Sequence, residues 1–600
     1  MKKNKYNSNV KNYQSSGGYL RQQLTLPKFA LALLPLVIAA NTHAMDLDFM
    51  GGSELTSTLD VTVGYATSFR TEDSDTDPLA ELTDVFGSPG LNATGEGRTP
   101  NAGDMLTNMV RATAELGMQW RNFGLVASAN YQYDHEVMKD DAAVRAKADF
   151  SGSENVDSSD DAKDNAGNSL QVLDAYVYGE FELDETPIEV RVGKQVINWG
   201  EGLFFLNGIS VQNPLDFNKA LTPGSDLKEV YIGNNALFAA MGIGDESSIE
   251  AYVQTEWNRT ELPAMDTFFG SEALSRGASE TGVLAADIEA RDSGQYGLAF
   301  MSTMGDIEYG VFYSRYHETM PLLKRDDVAS GGTDPFTCDV GLAGGAAYAC
   351  NSTFGLSQYY AEDQDMFGVS MATTIGNWSI AAEASFRPDQ ALWGDLIGKG
   401  YGYAEFSGLI DPAINYSGPE NANDAGTNIS RHDTLQVAVN GIWLGGAVDW
   451  LGMDAQVALV QVGVETISGD TSQLSPQNSV TRAEGIAGDP FGDYHAFTNA
   501  GAFKATLGAD SEAYGVAAEW IGTWNMGSTA INLDIFAQHD LAGNSHWWGN
   551  FAEGRTQYAV GVSATIASDL EMGVKYAGTS FEDSDYEDQD TLNLTANYKF

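Results

Sequence analysis

The sequence has few basic residues: 32 Lys and Arg stand against 83 Asp and Glu, which gives a net charge of −51 at pH 7. A protein that binds DNA or RNA neutralises phosphates with Lys and Arg, so nucleic acid is excluded as a partner. Only two of the 600 residues are Cys, which excludes a Cys-rich zinc site and a scaffold built on disulfides. With 16 Pro, 65 Gly and 11% aromatic residues, the composition is that of neither a disordered nor a helical chain.

The first 44 residues contain six basic side chains and no acidic one. An apolar run, FALALLPLVIAA, occupies residues 29–40. At twelve residues this run is too short to span a bilayer as a helix, but it fits the core of a secretory signal that ends at Ala44. We therefore predict a signal peptide over residues 1–44 and an exported mature chain, 45–600. A buried N-terminal helix is the alternative.

No later stretch approaches the ~20 apolar residues that a membrane helix needs, so the choice lies between a soluble exported protein and a β-barrel. The segment 248–257 alternates strictly, with Ile249, Ala251 and Val253 on one side and Glu250 and Tyr252 on the other. We count about eighteen such alternating runs, each of roughly 10 to 13 residues. Strands of ~9 to 11 residues are long enough to cross a bilayer when they are tilted.

The links between these runs alternate in length. Most even-numbered links are short turns, such as Arg121-Asn122, Asp184-Glu185-Thr186-Pro187 and Gly305-Asp306, whereas most odd-numbered links are long and acidic. This asymmetry is typical of periplasmic turns and extracellular loops in outer-membrane barrels. We predict an all-β protein in the outer membrane of a Gram-negative-type cell: a single closed antiparallel transmembrane β-barrel of about 18 strands, with 16 as the alternative.

The C-terminus and several Trp residues agree with this prediction. The chain ends in LNLTANYKF, which alternates and closes on Phe600; it resembles the strand signal that barrel-assembly machinery reads, so that machinery is a predicted partner. Trp120, Trp378, Trp450 and Trp524 stand beside short turns, where an aromatic girdle would meet the lipid. Scattered core Trp residues are the alternative.

The long links offer few ligand sites. The run Asp73-x-Asp75-x-Asp77 resembles a calcium loop, but Pro78 stands where that loop needs Gly and Asp84 where it needs Glu. We therefore predict no dedicated metal site and no cofactor, with divalent cations between these loops and lipopolysaccharide as the remaining option. Cys338 and Cys350 fall in one predicted extracellular loop, where an oxidising compartment favours a disulfide; two free thiols are the alternative.

One long link, residues 198–228, is apolar rather than acidic. It reads NWGEGLFFLNGISVQNPLDFNKALTPGSDLK, and such apolar density is unsuited to a water-facing loop. Pro214 and Pro223 exclude a regular central strand. We predict that this segment folds inward and constricts the lumen; an irregular lipid-facing strand pair is the alternative. The predicted lumen and constriction residues are Glu189, Arg191, Gln195, Trp199, Glu201, Phe204, Phe205, Asp216 and Lys219, with Asn532, Asp534 and Asp226 beside them.

The same region carries a family resemblance. The run VGKQVINWGE, residues 192–201, followed by NPLD at 213–216 and LKE at 227–229, resembles the signature of a large proteobacterial family of outer-membrane proteins catalogued as a domain of unknown function. The resemblance implies a periplasmic lipoprotein-like partner, an inner-membrane exporter of the resistance-nodulation-division type, and the handling of lipids or other hydrophobic compounds. No catalytic residue is established for that family, so none is carried over.

These observations favour a channel for hydrophobic or amphipathic, lipid-like compounds, with a general porin for small polar solutes as the alternative. An outer-membrane lipase would need a Ser activated by a positioned His. The His residues fall mostly at predicted strand ends or in loops, and their spacing singles out no partner, so we predict surface histidines and no enzyme. A surface receptor or adhesin that uses the acidic loops is a third alternative.

Overall fold

The computed structural model describes residues 55–73, 101–139, 160–184, 186–264, 267–269, 286–325, 356–393, 429–471, 474, 509–547, 550–567, 569–581 and 589–600. The predicted signal peptide, Cys338, Cys350 and most of the acidic clusters lie outside the described residues.

Alternating sequence runs form long antiparallel strands. In chain order the strands are β1 (Leu55–Arg70), β2 (Met105–Trp120), β3 (Phe123–Asp134), β4 (Asn168–Leu183), β5 (Thr186–Gln195), β6 (Asn234–Ile243), β7 (Ser247–Gln254), β8 (Tyr296–Met304), β9 (Ile307–Tyr316), β10 (Leu322–Arg325), β11 (Leu356–Tyr359), β12 (Gln364–Ile375), β13 (Trp378–Trp393), β14 (Ile429–Gly445), β15 (Ala455–Ile467), β16 (Glu512–Met526), β17 (Thr529–Ala542), β18 (Thr556–Ile566), β19 (Leu570–Ser580) and β20 (Thr591–Lys599). Strands β10 and β11 form a separate hairpin, and the other eighteen form one sheet.

The eighteen-stranded sheet closes on itself. Each strand pairs antiparallel with its neighbour in the sequence, β9 pairs with β12 across the small hairpin, and β20 returns to β1. At the seam Arg70 pairs with Thr591 and Thr62 with Lys599, and the Phe600 N–H donates to the Val61 carbonyl oxygen at 2.8 Å. Closure leaves no unpaired edge, which a sheet in lipid cannot tolerate. The prediction of a single closed barrel of about eighteen strands is confirmed.

Two details of the strand prediction were wrong. Several strands are longer than expected: β1, β2, β4 and β13 have 16 residues and β14 has 17. About ten residues are enough to cross the bilayer, so the longer pairs extend the wall beyond it. Thr186 and Pro187 begin β5 rather than belonging to the turn, since a proline at a strand's start removes no essential ladder bond.

The short turns reverse the chain with left-handed backbone conformations. Arg121 has φ 53° and Gly305 φ 65°, and the same region is used at Asp184, Gly244, Gly376, Gly527 and Ala567. Two-residue hairpins need positive φ to match the twist of the strands. The turns are therefore specified by local chemistry.

The strand faces divide as the alternation predicts. On β14, Leu435, Val437 and Val439 are exposed on the outside, whereas Gln436 and Asn440 are buried inside. An apolar exterior around a polar interior is the arrangement of an outer-membrane barrel, and the protein is accordingly an outer-membrane protein. Trp120, Trp378 and Trp450 are exposed beside the turns, and half-buried Trp524 donates to the Leu451 carbonyl oxygen.

Among the described residues, helical structure is confined to short pieces. These are α1 (His135–Met138), α2 (Asp160–Ala162), a π-turn at Lys163–Gly167, α3 (Phe217–Ala220), α4 (Leu227–Val230) and a 3₁₀ turn at Asp449–Leu451. In the described part of the chain, none of the helices has the length and apolarity needed to span a membrane. Helices α3 and α4 belong to the link between β5 and β6, which is the centre of the candidate site.

Candidate functional site

The link between β5 and β6, residues 196–233, lies inside the barrel and is here called the lumen segment. Its apolar residues pack in the interior: Ile197, Trp199 and Ile209 are each at most 3% exposed and belong to one cluster with Phe238, Tyr252 and Phe312 of the strands. We name residues 201–209 the strap and residues 214–231 the anchor, because the two parts bond to different walls.

The strap is held by side chains of the wall formed by β13, β14 and β15. The carboxylate of Glu383 on β13 accepts hydrogen bonds from the N–H groups of Glu201 (2.6 Å), Gly202 (3.1 Å) and Ile209 (3.4 Å). The Gln461 side-chain oxygen on β15 accepts from the N–H groups of Phe204 and Phe205. No backbone–backbone bond joins the strap to another described residue, so wall side chains take the place of secondary structure.

Strap carbonyl groups are satisfied in the same way. The Arg387 guanidinium on β13 donates to the carbonyl oxygens of Asn207 (2.5 Å) and Gly208 (2.7 Å). The Leu206 carbonyl oxygen accepts from Gln436 on β14 and from Asn550 in the β17–β18 link. Further along, the Asn440 side chain donates to the Glu201 carbonyl oxygen. A buried backbone that made none of these bonds would cost several kcal/mol.

Aromatic contacts fill the space around the strap. The Phe205 ring lies 4.8 Å from that of Phe551, and the Phe204 ring lies 5.7 Å from that of Phe536 on β17. Next to the strap, Trp199 packs on Tyr252 and donates its Nε1–H to Glu250 on β7 at 2.8 Å. The predicted constriction residues Trp199, Glu201, Phe204 and Phe205 therefore lie together across the lumen.

The anchor has its own local structure and rests on β2 and β3. The Asp216 carboxylate caps α3 by accepting the N–H groups of Asn218 and Lys219, as an N-cap Asp does. The Lys219 ammonium donates to Asn130 (2.7 Å) and Gln132 (3.1 Å) on β3.

A buried ion pair joins α4 to the same wall. The Glu229 carboxylate lies 3.2 Å from the Arg111 guanidinium of β2 and accepts from the side chains of Thr113 and Asn130. The same Glu229 closes a capping box with Asp226 at the start of α4. Predicted residues Asp216 and Lys219 thus lie on the anchor, and Lys219 lies within electrostatic range of this pair but is not bonded to it.

Burial shifts the ionisation of three segment residues. It raises the pKa of the Asp216 carboxyl, which Lys219 opposes, and it lowers the pKa of the Lys219 ammonium, which Asp216 and Glu229 oppose. For Glu201, burial and then the neighbouring carboxylates of Glu383 and Glu308 raise the pKa. Desolvation dominates all three shifts, as expected for charges inside a barrel.

The predicted wall residues lie on inward registers at different places. Glu189 and Arg191 form an ion pair at 2.5 Å on β5, and the guanidinium lies 4.8 Å above the Phe238 ring. Gln195 is buried and donates to the Ala236 carbonyl oxygen at 3.1 Å, so it contributes no open surface.

The two wall residues predicted on β17 lie on other inward registers. Asn532 accepts from Thr523 Oγ1 at 2.8 Å. Asp534 pairs with Lys575 of β19 at 3.0 Å.

Sequence reasoning missed the residues that hold the strap. These are Glu383, Arg387, Gln436, Asn440, Gln461 and Asn550. Five of these residues lie on strands, and Asn550 lies in a link. The only feature in the sequence that marks the five is that each is a polar residue at an inward position of an alternating run. Nothing in the sequence says which of many such residues meets the segment, because that depends on where the barrel closes.

The prediction of surface histidines was wrong for three residues. His317, His432 and His546 are at most 5% exposed. The links that carry His317 and His546 fold into the barrel interior, and His432 lies on an inward register of β14. His432 lies 2.9 Å from Ser430 Oγ, but its other ring nitrogen meets the Ser468 carbonyl oxygen rather than a carboxylate, which differs from the orientation in a catalytic triad. Among the described residues, no three His, Cys, Asp or Glu side chains are grouped to hold a metal ion.

The chain is similar to several solved structures at low sequence identity. OccAB1 of Acinetobacter baumannii is 8% identical with a TM-score of 0.39, covering 94% of this chain and 99% of that one. The outer membrane channel DcaP of the same organism is 10% identical with a TM-score of 0.35, covering 92% and 99%. A BenF-like porin from Pseudomonas fluorescens Pf-5 is 7% identical with a TM-score of 0.39, covering 91% and 98%. Likeness at this level bears on neither substrate nor mechanism.

No curated protein matches this chain. A family model described as "Protein of unknown function (DUF1302)" matches residues 25–600, which is nearly the whole chain and agrees with the resemblance in the motif block. The chain therefore belongs to the DUF1302 family of proteins of unknown function.

Proposed function

We propose that this protein is an outer-membrane channel for hydrophobic or amphipathic, lipid-like compounds, constricted by the lumen segment. One observation carries the proposal: the segment is rooted at β5 and β6, its strap bonds to β13–β15, and its anchor bonds to β2 and β3. An eighteen-stranded barrel is otherwise wide enough for an aqueous channel. A segment that reaches both walls narrows that channel.

The surface of the lumen segment supports an amphipathic solute. Leu203, Leu221 and Leu227 on the segment are 39%, 41% and 71% exposed, so apolar surface remains uncovered within the polar interior. The inward registers of the wall are polar, as Glu189 and Arg191 illustrate. A solute with an apolar part and a polar part could contact both surfaces.

The charge of the wall supports neutral or cationic solutes over anionic ones. Inward-facing carboxylates oppose each other across strands: Asp60 pairs in register with Glu115, and Glu180 with Glu189. Glu189 is paired with Arg191 and Glu115 with Lys228, so each place has an excess of one carboxylate, and an excess of one sign of charge attracts the opposite sign. This hydrated acidic wall also favours the second candidate, a general porin with a preference for small cations.

Partners are proposed on narrower grounds. The family resemblance alone supports a periplasmic lipoprotein-like protein and an inner-membrane exporter. The position of β20 at the closing seam supports recognition of the Phe600 strand by barrel-assembly machinery. The exposed apolar exterior supports contact with outer-membrane lipid and lipopolysaccharide.

Deletion of residues 203–212 tests the constriction. We expect single-channel conductance in planar bilayers to rise several-fold, because the strap no longer narrows the lumen. Val462→Ala, a change on the lipid-facing side of β15, is the control and should leave conductance unaltered. An unchanged conductance in the deletion variant would remove the constriction model.

The solute class needs a separate measurement. Proteoliposomes that hold the protein should pass a fluorescent single-chain amphipath faster than empty liposomes do. The increase over empty liposomes should be larger for the amphipath than for a small sugar. Faster flux of the sugar alone would favour the general porin. A comparison of outer-membrane lipids with and without the protein then tests the same preference in cells.

A further inference from the structure

Glu383 binds the strap in an unusual way. Its carboxylate is on β13 and is 5% exposed, yet its bonding partners are the N–H groups of Glu201, Gly202 and Ile209. No Lys or Arg among the described residues forms a salt bridge with it. A buried carboxylate needs compensating partners, and here backbone amides supply them.

The strap sequence makes room for this carboxylate. A Cβ atom at Gly200 would lie 2.7 Å from Glu383 Oε2, one at Gly202 would lie 3.3 Å from Oε1, and one at Gly208 would clash with Oε1. Gly200 also has φ +90°, which disfavours any other residue. Three glycines thus allow backbone amides to surround one anion, which is the arrangement of an anion-binding nest.

The strap depends on this contact for its shape. It forms no backbone–backbone bonds to other described residues, so its conformation follows from the side chains around it. The N–H groups of Phe204 and Phe205 donate to a neutral acceptor, the Gln461 side-chain oxygen. The N–H groups of the nest donate to a carboxylate, that of Glu383. Hydrogen bonds to a charged group are about twice as strong as neutral ones.

We propose that the strap backbone at residues 200–202 and 208–209 is a carboxylate-binding site, and that Glu383 is its resident ligand and the positioning residue of the constriction. The backbone amides of the nest bind the carboxylate group and not the rest of the side chain. In a variant that lacks the Glu383 carboxylate, a small carboxylate such as formate therefore has the chemistry to take its place. The test has two measurements, hydrogen exchange with formate rescue and channel conductance. The conductance measurement rests on the proposed function, but the exchange measurement does not.

The test uses purified full-length protein in detergent with Glu383 changed to Ala. Hydrogen exchange of the peptide that covers residues 199–210 should become about tenfold faster, because the amides lose a charge-assisted acceptor. Sodium formate should restore most of the protection, whereas sodium chloride at equal ionic strength should not. Glu308→Ala is the matched control, since Glu308 lies within electrostatic range of Glu201 but is not bonded to the strap.

The outcomes separate the nest from the channel. Unchanged exchange in Glu383→Ala, or faster exchange that formate does not reverse, would overturn the nest. If Glu383→Ala loses the heat-dependent gel shift of a folded barrel, Glu383→Gln takes its place: faster exchange supports the nest and unchanged exchange overturns it. If exchange and rescue occur while conductance stays at the wild-type value, the nest is supported and the constriction role of the proposed function fails.

Discussion

The two parts of the lumen segment reach stability by different routes. The anchor forms two short helices with their own caps, at Asp216 and Asp226, and then docks on β2 and β3. The strap forms no helix or strand, and its backbone groups bond to side chains from β13, β14 and β15. One part is locally encoded and the other is shaped by its surroundings.

This difference predicts where each part is vulnerable. The anchor depends most on a buried ion pair, Arg111–Glu229, whose loss leaves an unpaired charge inside the protein. The strap depends on many single hydrogen bonds from side chains of the wall formed by β13, β14 and β15. Damage to one part should therefore be detectable separately from damage to the other by hydrogen exchange of residues 214–231 and 199–210.

The largest effect is expected at Arg111. Its replacement by Ala leaves Glu229 buried and unpaired, and breaking such a pair costs about 3–5 kcal/mol. Exchange of residues 214–231 should accelerate far more than exchange of the strap. Arg121→Ala, in the exposed turn between β2 and β3, is the control with the same change of residue. Equal acceleration in both parts of the segment would show that they are not independent.

The pH effect that arises from Glu318 should act on the strap and the wall that holds it rather than on the anchor. Glu318, in the link after β9, is buried near Arg387, the residue that holds two strap carbonyls. Burial raises the pKa of Glu318 from 4.5 to about 7, opposed by Arg387. The native state therefore keeps a proton that the unfolded chain releases between these values. The free energy of unfolding should fall as pH rises from about 4.5 to 7, by up to roughly 3 kcal/mol.

Thermal unfolding of Glu318→Gln measures this contribution. The variant should lack the part of the fall in unfolding free energy that Glu318 causes. Its melting temperature relative to that of wild type should therefore be higher at pH 8 than at pH 5. Strap exchange in wild type, relative to the variant at the same pH, should increase at pH 8, while anchor exchange should not. A difference that does not change with pH would contradict the buried protonated carboxyl.

The smallest effect is expected at Lys228. Its ammonium pairs with Glu115, but the two side chains are 48% and 38% exposed, and exposed pairs contribute about 0–1 kcal/mol. Lys228→Met should therefore leave anchor exchange nearly unchanged, in contrast to Arg111→Ala. A large loss of protection would show that exposed charges, rather than the buried pair, hold the anchor.

Much of the architecture could be predicted because it depends on local patterns. A strand with one face in lipid and one in the lumen must alternate, so Leu435 and Gln436 already indicate their faces. Turns such as Arg121-Asn122 and Gly305-Asp306 marked the hairpins, and apolar residues in a long link marked the segment. Asp216 and Lys219 were chosen for their charge in an apolar link.

The partners of the strap could not be predicted in this way. Glu383 and Gln461 resemble every other inward polar residue, and 182 and 257 positions separate them from the strap residues that they bind. The burial of His317 and His546 was missed for a related reason: a link that folds inward has no periodic pattern to show it. His432 differs, because it lies on an inward register near the start of β14.

The amino-acid order by itself determined the barrel, its strand count and which faces meet lipid, because period-two alternation and turn chemistry act between near neighbours. Only the tertiary structure decided which wall receives the strap and which carboxylate enters its glycine-lined nest. Closure of eighteen strands brings residues from distant parts of the chain to opposite sides of one lumen. Contacts across that space depend on the radius and register of the whole sheet, which no local pattern encodes.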